Sequence, residues 1–139
     1  MKLPEKRYKA LLRDSIICCV DGIIMDKEGK YLLVKRKNEP MRGEWWVPGG
    51  RAYKGEMLEE AFLRKMYEEV GIEVKILMPL GYYEEQYDRG YLGISSHTIS
   101  VLFSALALSE DIKLDSQSSD YKWSKSLPDK LTNLHRFSL

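Results

Sequence analysis

The sequence predicts an α/β domain in which helices pack on a mixed β-sheet. Three observations carry that expectation. β-Branched and aromatic runs bounded by turn residues occupy both halves of the chain. A helical segment at 57–70 separates them. The resulting order of two strands, a helix, more strands and a last helix suits a sheet covered by helices. With 139 residues the chain is long enough to bury a core as one domain, 1–139.

Residues 4–13 read as a short helix or an N-terminal arm. Residues 15–25 are apolar and β-branched, a strand, and Asp26-Lys27-Glu28-Gly29 reads as a hairpin turn into a second strand at 31–37. Residues 38–44, with Pro40 and Gly43, form a loop. A short strand at 45–47 runs into the loop Pro48-Gly49-Gly50. The fourteen residues 57–70 contain no Gly or Pro and are rich in Leu, Glu, Ala, Met and Arg, with Gly71 at the C-terminal cap. Residues 72–87 and 95–108 read as long strands around a loop at Asp88-Arg89-Gly90. Residues 108–119 are polar loop, 120–123 a last short strand and 127–134 a last helix.

Lys+Arg and Asp+Glu number 22 and 21, so net charge points to neither a nucleic-acid nor a membrane partner. Any anion must be met by a local site. Cys18 and Cys19 are adjacent in an apolar run, where free Cys behaves as a small buried hydrophobe. That excludes a disulfide framework and fits a reducing, cytoplasmic setting. No stretch has the length and apolarity of a signal peptide or membrane span.

On a helical wheel, Leu58, Ala61, Phe62 and Met66 form the apolar sector of 57–70. Glu56, Glu60 and Arg64 lie outside it as ordinary solvated charges. Glu69 projects inside the sector, Lys65 falls there too, and Glu68 flanks it beside Ala61. A Lys65–Glu69 pair four residues apart is the bland account. Carboxylates beside a Gly-rich loop favour another. A buried carboxylate is costly unless neutralised, and Mg²⁺ takes one or two carboxylates, water and substrate phosphates. Gly49 and Gly50 let backbone approach such a ligand and can offer a carbonyl to the metal.

Gly50, Glu56 six residues on, Arg64 eight further, then Met66, Glu68-Glu69, Gly71 and Ile72 resemble the Nudix box. The pattern has Arg-Glu where this chain has Arg64-Lys65, and its other fixed positions are met. The resemblance implies a Nudix-type α/β/α sandwich, dependence on Mg²⁺ (or Mn²⁺), and hydrolysis of a small-molecule nucleotide or nucleotide sugar. Within the superfamily the chain is most similar to the GDP-mannose mannosyl hydrolases. The similarity runs through Asp21 and its hairpin, Lys35-Arg36, 43–51 and 117–123. That branch releases GDP and free sugar by displacement at carbon and is dimeric, so a homodimer is implied. Carried over, the resemblance makes the Gly49 carbonyl, Glu69 and Gln117 metal ligands; the helical wheel puts Glu68 second to Glu69. It gives Arg36 and Arg51 the diphosphate and Asp21 the substrate.

Three departures limit the mechanism. Lys65 replaces a glutamate that ligates metal or acts as base in many Nudix enzymes, while Glu68 is kept where the mannosyl hydrolases lack it. Ser118 stands where that branch has its histidine base, and Thr98 where it has a tyrosine. A serine hydroxyl is no general base at neutral pH unaided. His97, Glu84, Glu85 and Asp88 are substitutes, and His135 reads as structural or exposed. Trp45, Trp46, Tyr82 and Tyr83 could stack on a base but suit a core equally. Three readings follow: sugar release from a nucleotide sugar, phosphoanhydride cleavage of a nucleoside triphosphate or nucleotide sugar, and a nucleotide-binding module with little turnover.

Overall fold

The computed structural model describes residues 2–133 and 136–137. Helix α1 (Glu5–Asp14) is followed by strands β1 (Ile17–Met25), β2 (Tyr31–Arg36), β3 (Trp45–Trp46) and β4 (Gly49–Arg51). Helix α2 (Leu58–Val70) leads to β5 (Val74–Tyr87), β6 (Ser96–Ala107), β7 (Ser118–Ser124), α3 (Asp129–Asn133) and β8 (Arg136–Phe137). The strands form one sheet in the order β3-β2-β1-β6-β5-β8, with β4 paired to β1 and β7 to β2. β1 and β6 run parallel from Ile17↔Thr98 to Met25↔Leu106, and their neighbours are antiparallel, so the sheet is mixed.

Side chains alternate across a strand, so β1 feeds two cores. Val20 and Ile24 face α2 and pack with Phe62, Met66 and Val70. The Phe62 ring lies 5.2 Å from that of Phe103 on β6. Ile23 points the other way, into a cluster with Leu33, Trp46, Tyr83, Leu102 and Leu131 of α3. Helices on both faces make an α/β/α sandwich. Each fully buried aliphatic or aromatic side chain contributes about 1.5–3 kcal/mol, so this double core supplies most of what holds the sheet flat against its helices. Helix α2 ends at Gly71, whose φ of 71° is left-handed. Its N–H donates to the carbonyls of Met66 and Tyr67, a closure that glycine adopts without Cβ strain.

Three expectations change. Gly49 and Gly50 are not loop: with Arg51 they form β4, paired Asp21↔Gly49, Val20↔Gly50 and Cys19↔Arg51. Two glycines in a row carry no strand propensity, and it is the pairing with β1 that extends them. Of the two readings of the N-terminus, short helix or arm, the helix holds, with its Leu12 buried. Cys18 is exposed rather than core: it shares a strand face with Val20 and Ile24 but sits at the start of β1, ahead of the buried stretch. The last helix begins at Asp129 rather than at 127, and Leu134 and His135 lie outside the described residues. Among the described residues, no helix is long and apolar enough to cross a membrane.

Candidate active site

Helix α1 roofs the sheet face that carries Asp21, Thr98, Ser100 and Glu85, leaving a cavity of about 510 Å³. The floor follows from strand periodicity. Cys19 and Asp21 on β1 alternate with core Val20, and Tyr83, Glu85 and Tyr87 on β5 alternate with Glu84 and Gln86. From the roof, Tyr8 packs edge-on against Tyr91, ring centroids 5.9 Å apart, and burial pushes its hydroxyl up to about 12. The rim is β4 with α2 on one side and the 36–41 segment on the other.

Asp21 is 6% exposed. The Tyr83 hydroxyl donates to it, and Trp46 Nε1 donates to that hydroxyl at 3.2 Å, so a chain of donors ends on the carboxylate. Burial raises Asp21 to about 7, against the pull of the Tyr83 hydrogen bond and the Arg36 charge. A Cβ on Gly49 would sit 1.8 Å from Asp21 Oδ1, so this strand pair requires glycine opposite the aspartate.

Glu69 reaches the same rim. Its Oε2 accepts the Gly49 N–H at 2.9 Å and its Oε1 lies 3.5 Å from the Ser118 hydroxyl. Burial drives it up to about 8, opposed mainly by the Lys65 charge and aggravated by Asp115 and Asp21. Gln117 is brought alongside by its loop. Its N–H donates to Asp115 Oδ1, its carbonyl accepts from Lys37 N–H, and its side-chain oxygen accepts from Asn38 at 2.8 Å. The available donors are therefore a carboxylate, backbone carbonyls and a carboxamide, all hard oxygens suited to Mg²⁺. No cluster of three His, Cys, Asp or Glu side chains able to hold a metal forms among the described residues. A divalent ion here fits the pattern of one protein carboxylate completed by carbonyl, water and phosphate oxygens.

The cations converge as well. A register shift between Lys35 and Arg36 against β7 turns Arg36 toward the cavity, and its Nε donates to the Pro40 carbonyl at 2.7 Å. The Arg51 guanidinium lies over the rings of Tyr53 and Tyr8, 4.7 and 5.4 Å from their centroids. Glu56 and Arg64 are not ordinary solvated charges. Arg64 Nε and Nη2 donate to both Glu56 oxygens, at 2.6 and 3.0 Å, and Nη2 also donates to the Arg51 carbonyl. Glu56 in turn accepts the Tyr53 N–H at 2.7 Å. This clamp ties the end of β4 to α2 and fixes the rim from beneath.

Several predicted residues lie elsewhere. Glu68 is not brought to the cavity: successive helix residues point about 100° apart, and its carboxylate pairs with Arg64 at 3.0 Å, 45% exposed. His97 bonds Glu84 on the far side of the β5–β6 pair, so neither lines the site. Asp88 lines a separate small depression with His97. Ser118, by contrast, lines the cavity, buried beside Glu69. Trp45 stacks under Lys122, 4.3 Å away, and Tyr82 is exposed, while Trp46 and Tyr83 are buried and also line the cavity. Of the substitute bases, Glu85 alone joins Asp21 in the lining, held by the Tyr87 hydroxyl. The roof, with Tyr8 and Tyr91, escaped sequence reasoning. Its signal was the spacing of Tyr8 and Leu12, one helical turn apart.

The sequence model of the NUDIX domain matches residues 19–126. The low-salt glycan biosynthesis protein Agl8 of Haloferax volcanii is 36% identical over 123 residues, 87% of this chain and 78% of that protein. An ADP-ribose pyrophosphatase of Methanocaldococcus jannaschii is 42% identical over 98 residues, 70% of this chain and 54% of that protein. The crystal structure of a MutT NUDIX hydrolase from Burkholderia pseudomallei superposes with a TM-score of 0.72 at 22% identity, covering 87% and 96% of the two chains; at that identity it speaks for the fold.

Proposed function

Because this chain belongs to the NUDIX family and is a Nudix hydrolase, we propose that it hydrolyses a nucleotide sugar in the roofed cavity with Mg²⁺. The observation that carries this reading is convergence. Glu69, Gly49 and Gln117 offer oxygens at one edge, Arg36 and Arg51 bring positive charge, and the polar floor of Asp21, Thr98, Ser100 and Glu85 lies beyond. A diphosphate suits the charged rim, and a hydroxyl-bearing group suits the floor. The glycan-biosynthesis name of the Haloferax relative supports a sugar on the far side of the diphosphate.

In this mechanism Glu69, with the Gly49 carbonyl and Gln117, would hold the metal. When bound, the ion supplies neutralisation of phosphate charge and orientation of the diphosphate. Arg36 and Arg51 stabilise negative charge as it gathers on the leaving group. Asp21 has its proton affinity lifted to about 7, which suits a group that takes a proton from water near neutral pH. Glu85, two strands away, is the alternative acceptor. The roof covers one side of the cavity, and less water there strengthens these interactions.

Two features favour a second reading, cleavage of the phosphoanhydride. No histidine among the described residues lines the cavity, and the Methanocaldococcus relative is named for an ADP-ribose pyrophosphatase. Hydrolysis of GDP-mannose and ADP-ribose in ¹⁸O-water separates them. Label in the free sugar supports attack at carbon, label in phosphate supports attack at phosphorus, and no turnover of either substrate class with Mg²⁺ or Mn²⁺ sinks both. The reading also includes a homodimer in a reducing cytoplasm. Exposed Leu77, Met78 and Tyr82 along β5 are consistent with a partner there, and light scattering tests it.

A further inference from the structure

Lys65 departs from the expected pattern, and the structure gives it a specific course. It lies one turn before Glu69 on α2, yet its side chain does not fold back along the helix as Arg64 does toward Glu68. It runs instead along β4. A Cβ added to Gly50 would lie 2.2 Å from Lys65 Cε, 2.8 Å from Cδ and 3.1 Å from Nζ. The absent side chain at position 50 is the channel through which the ammonium reaches the cavity, which Lys65 lines beside Gly49 and Glu69. A lysine that served only to neutralise Glu69 would not need to follow that path across a neighbouring strand.

We infer that Lys65 is a phosphate-binding residue, a cation built into the chain that meets an oxygen of a diphosphate at the Gly50 rim of the cavity. An ammonium is a compact, strongly hydrated point charge suited to a single phosphate oxygen. Held between a strand and a helix, it gives up little freedom when the anion arrives. Arg36 and Arg51 reach the same cavity from two other elements, so three cations surround the volume a diphosphate would fill. With a fixed positive charge in place, part of the affinity for the anion is independent of metal. The inference rests on the hydrolase reading in one respect only, that a diphosphate enters this cavity.

Inorganic pyrophosphate titrated calorimetrically in EDTA tests it without turnover, metal or a known substrate. The wild-type chain binds, and Lys65→Met weakens binding at least about ten-fold, as expected on losing one charge-assisted contact. Gly50→Ala is the second variant. The Gly50 backbone lies outside the left-handed region, and the new methyl meets the flexible end of a lysine, so the fold survives and the ammonium is displaced. It weakens pyrophosphate binding in the wild-type background and adds nothing in Lys65→Met, the non-additivity of two changes acting on one group. Thermal unfolding checks each variant's fold, and if Lys65→Met does not fold, Gly50→Ala decides alone. No binding by the wild-type chain, unchanged affinity in the variants, or fully additive losses would overturn the assignment. The hydrolase reading stands or falls separately, on the products released from nucleotide substrates.

Discussion

Glu69 is 5% exposed at the cavity rim, while the side chain of its neighbour Glu68 is 45% exposed in an ion pair with Arg64. One residue step of helix accounts for the difference. Substituting Glu69→Gln keeps the shape and the Gly49 hydrogen bond but removes the charge a cation needs. Activity should fall by at least about a hundred-fold, more than losing a mere supporting partner costs. The thermal midpoint in EDTA should hold or rise, because the carboxylate lost is one whose burial outweighs the support of Lys65 and the Gly49 N–H. A variant that retains wild-type kcat/KM removes Glu69 from the metal site. Glu68→Gln should leave kcat within about two-fold, since a surface ion pair contributes little. The sequence made the buried carboxylate legible, because Glu69 fell inside the apolar sector. It did not separate Glu68, because a wheel shows direction but not which neighbouring cation will claim a borderline side chain.

At the scale of elements, the clamp between β4 and α2 rests on one guanidinium. Arg64 meets Glu56 twice, Glu68 once and the Arg51 carbonyl once, with its plane 3.6 Å from the Tyr53 centroid. Arg64→Ala should destabilise the fold by about 1.5–3 kcal/mol, the range for hydrogen bonds to charged groups, read by urea unfolding. Arg64→Lys should not restore it, for want of the planar fork. The Arg64 hydrogen bond holds Glu56 below its ordinary 4.5. The associated stability is complete above pH 4.5 and is lost as pH falls through the depressed folded value. Replacing Glu56 with Gln should therefore lower stability at pH 7 and flatten its fall below pH 4.5; an unchanged acid limb would show that the pair is not what titrates. Composition identified α2 and its Gly71 cap. β4 was hidden because two glycines read as a turn until β1 supplies a partner for them, and the clamp was hidden because Glu56 and Arg64 fall on the polar side of the wheel.

Across the whole molecule, the two cores meet through the alternation of β1, and Phe62 plugs the larger one at 0% exposure. Phe62→Ala should cost about 3–5 kcal/mol, measured by chemical unfolding, and a loss under 1 kcal/mol would mean the sheet and α2 collapse to fill the hole. The order of elements foretold a sheet covered by helices because local patterning fixes which faces are apolar; the sandwich itself was what the resemblance implied. The placement of α1 over the floor was not foretold, because a roof depends on contacts between the chain's start and β6 that no local pattern records. The hydrogen-bonded series Trp46, Tyr83, Asp21 crosses three strands and ends at the cavity floor. It has an optical consequence. Indole emission responds to nearby charge and hydrogen bonding, so Trp46 is wired to the state of the site, whereas Trp45 and Trp123 are not part of the series. With those two changed to Phe, the remaining fluorescence should shift on adding pyrophosphate and stay still in a Tyr83→Phe background, giving the protein an intrinsic gauge of occupancy that needs no label and no turnover.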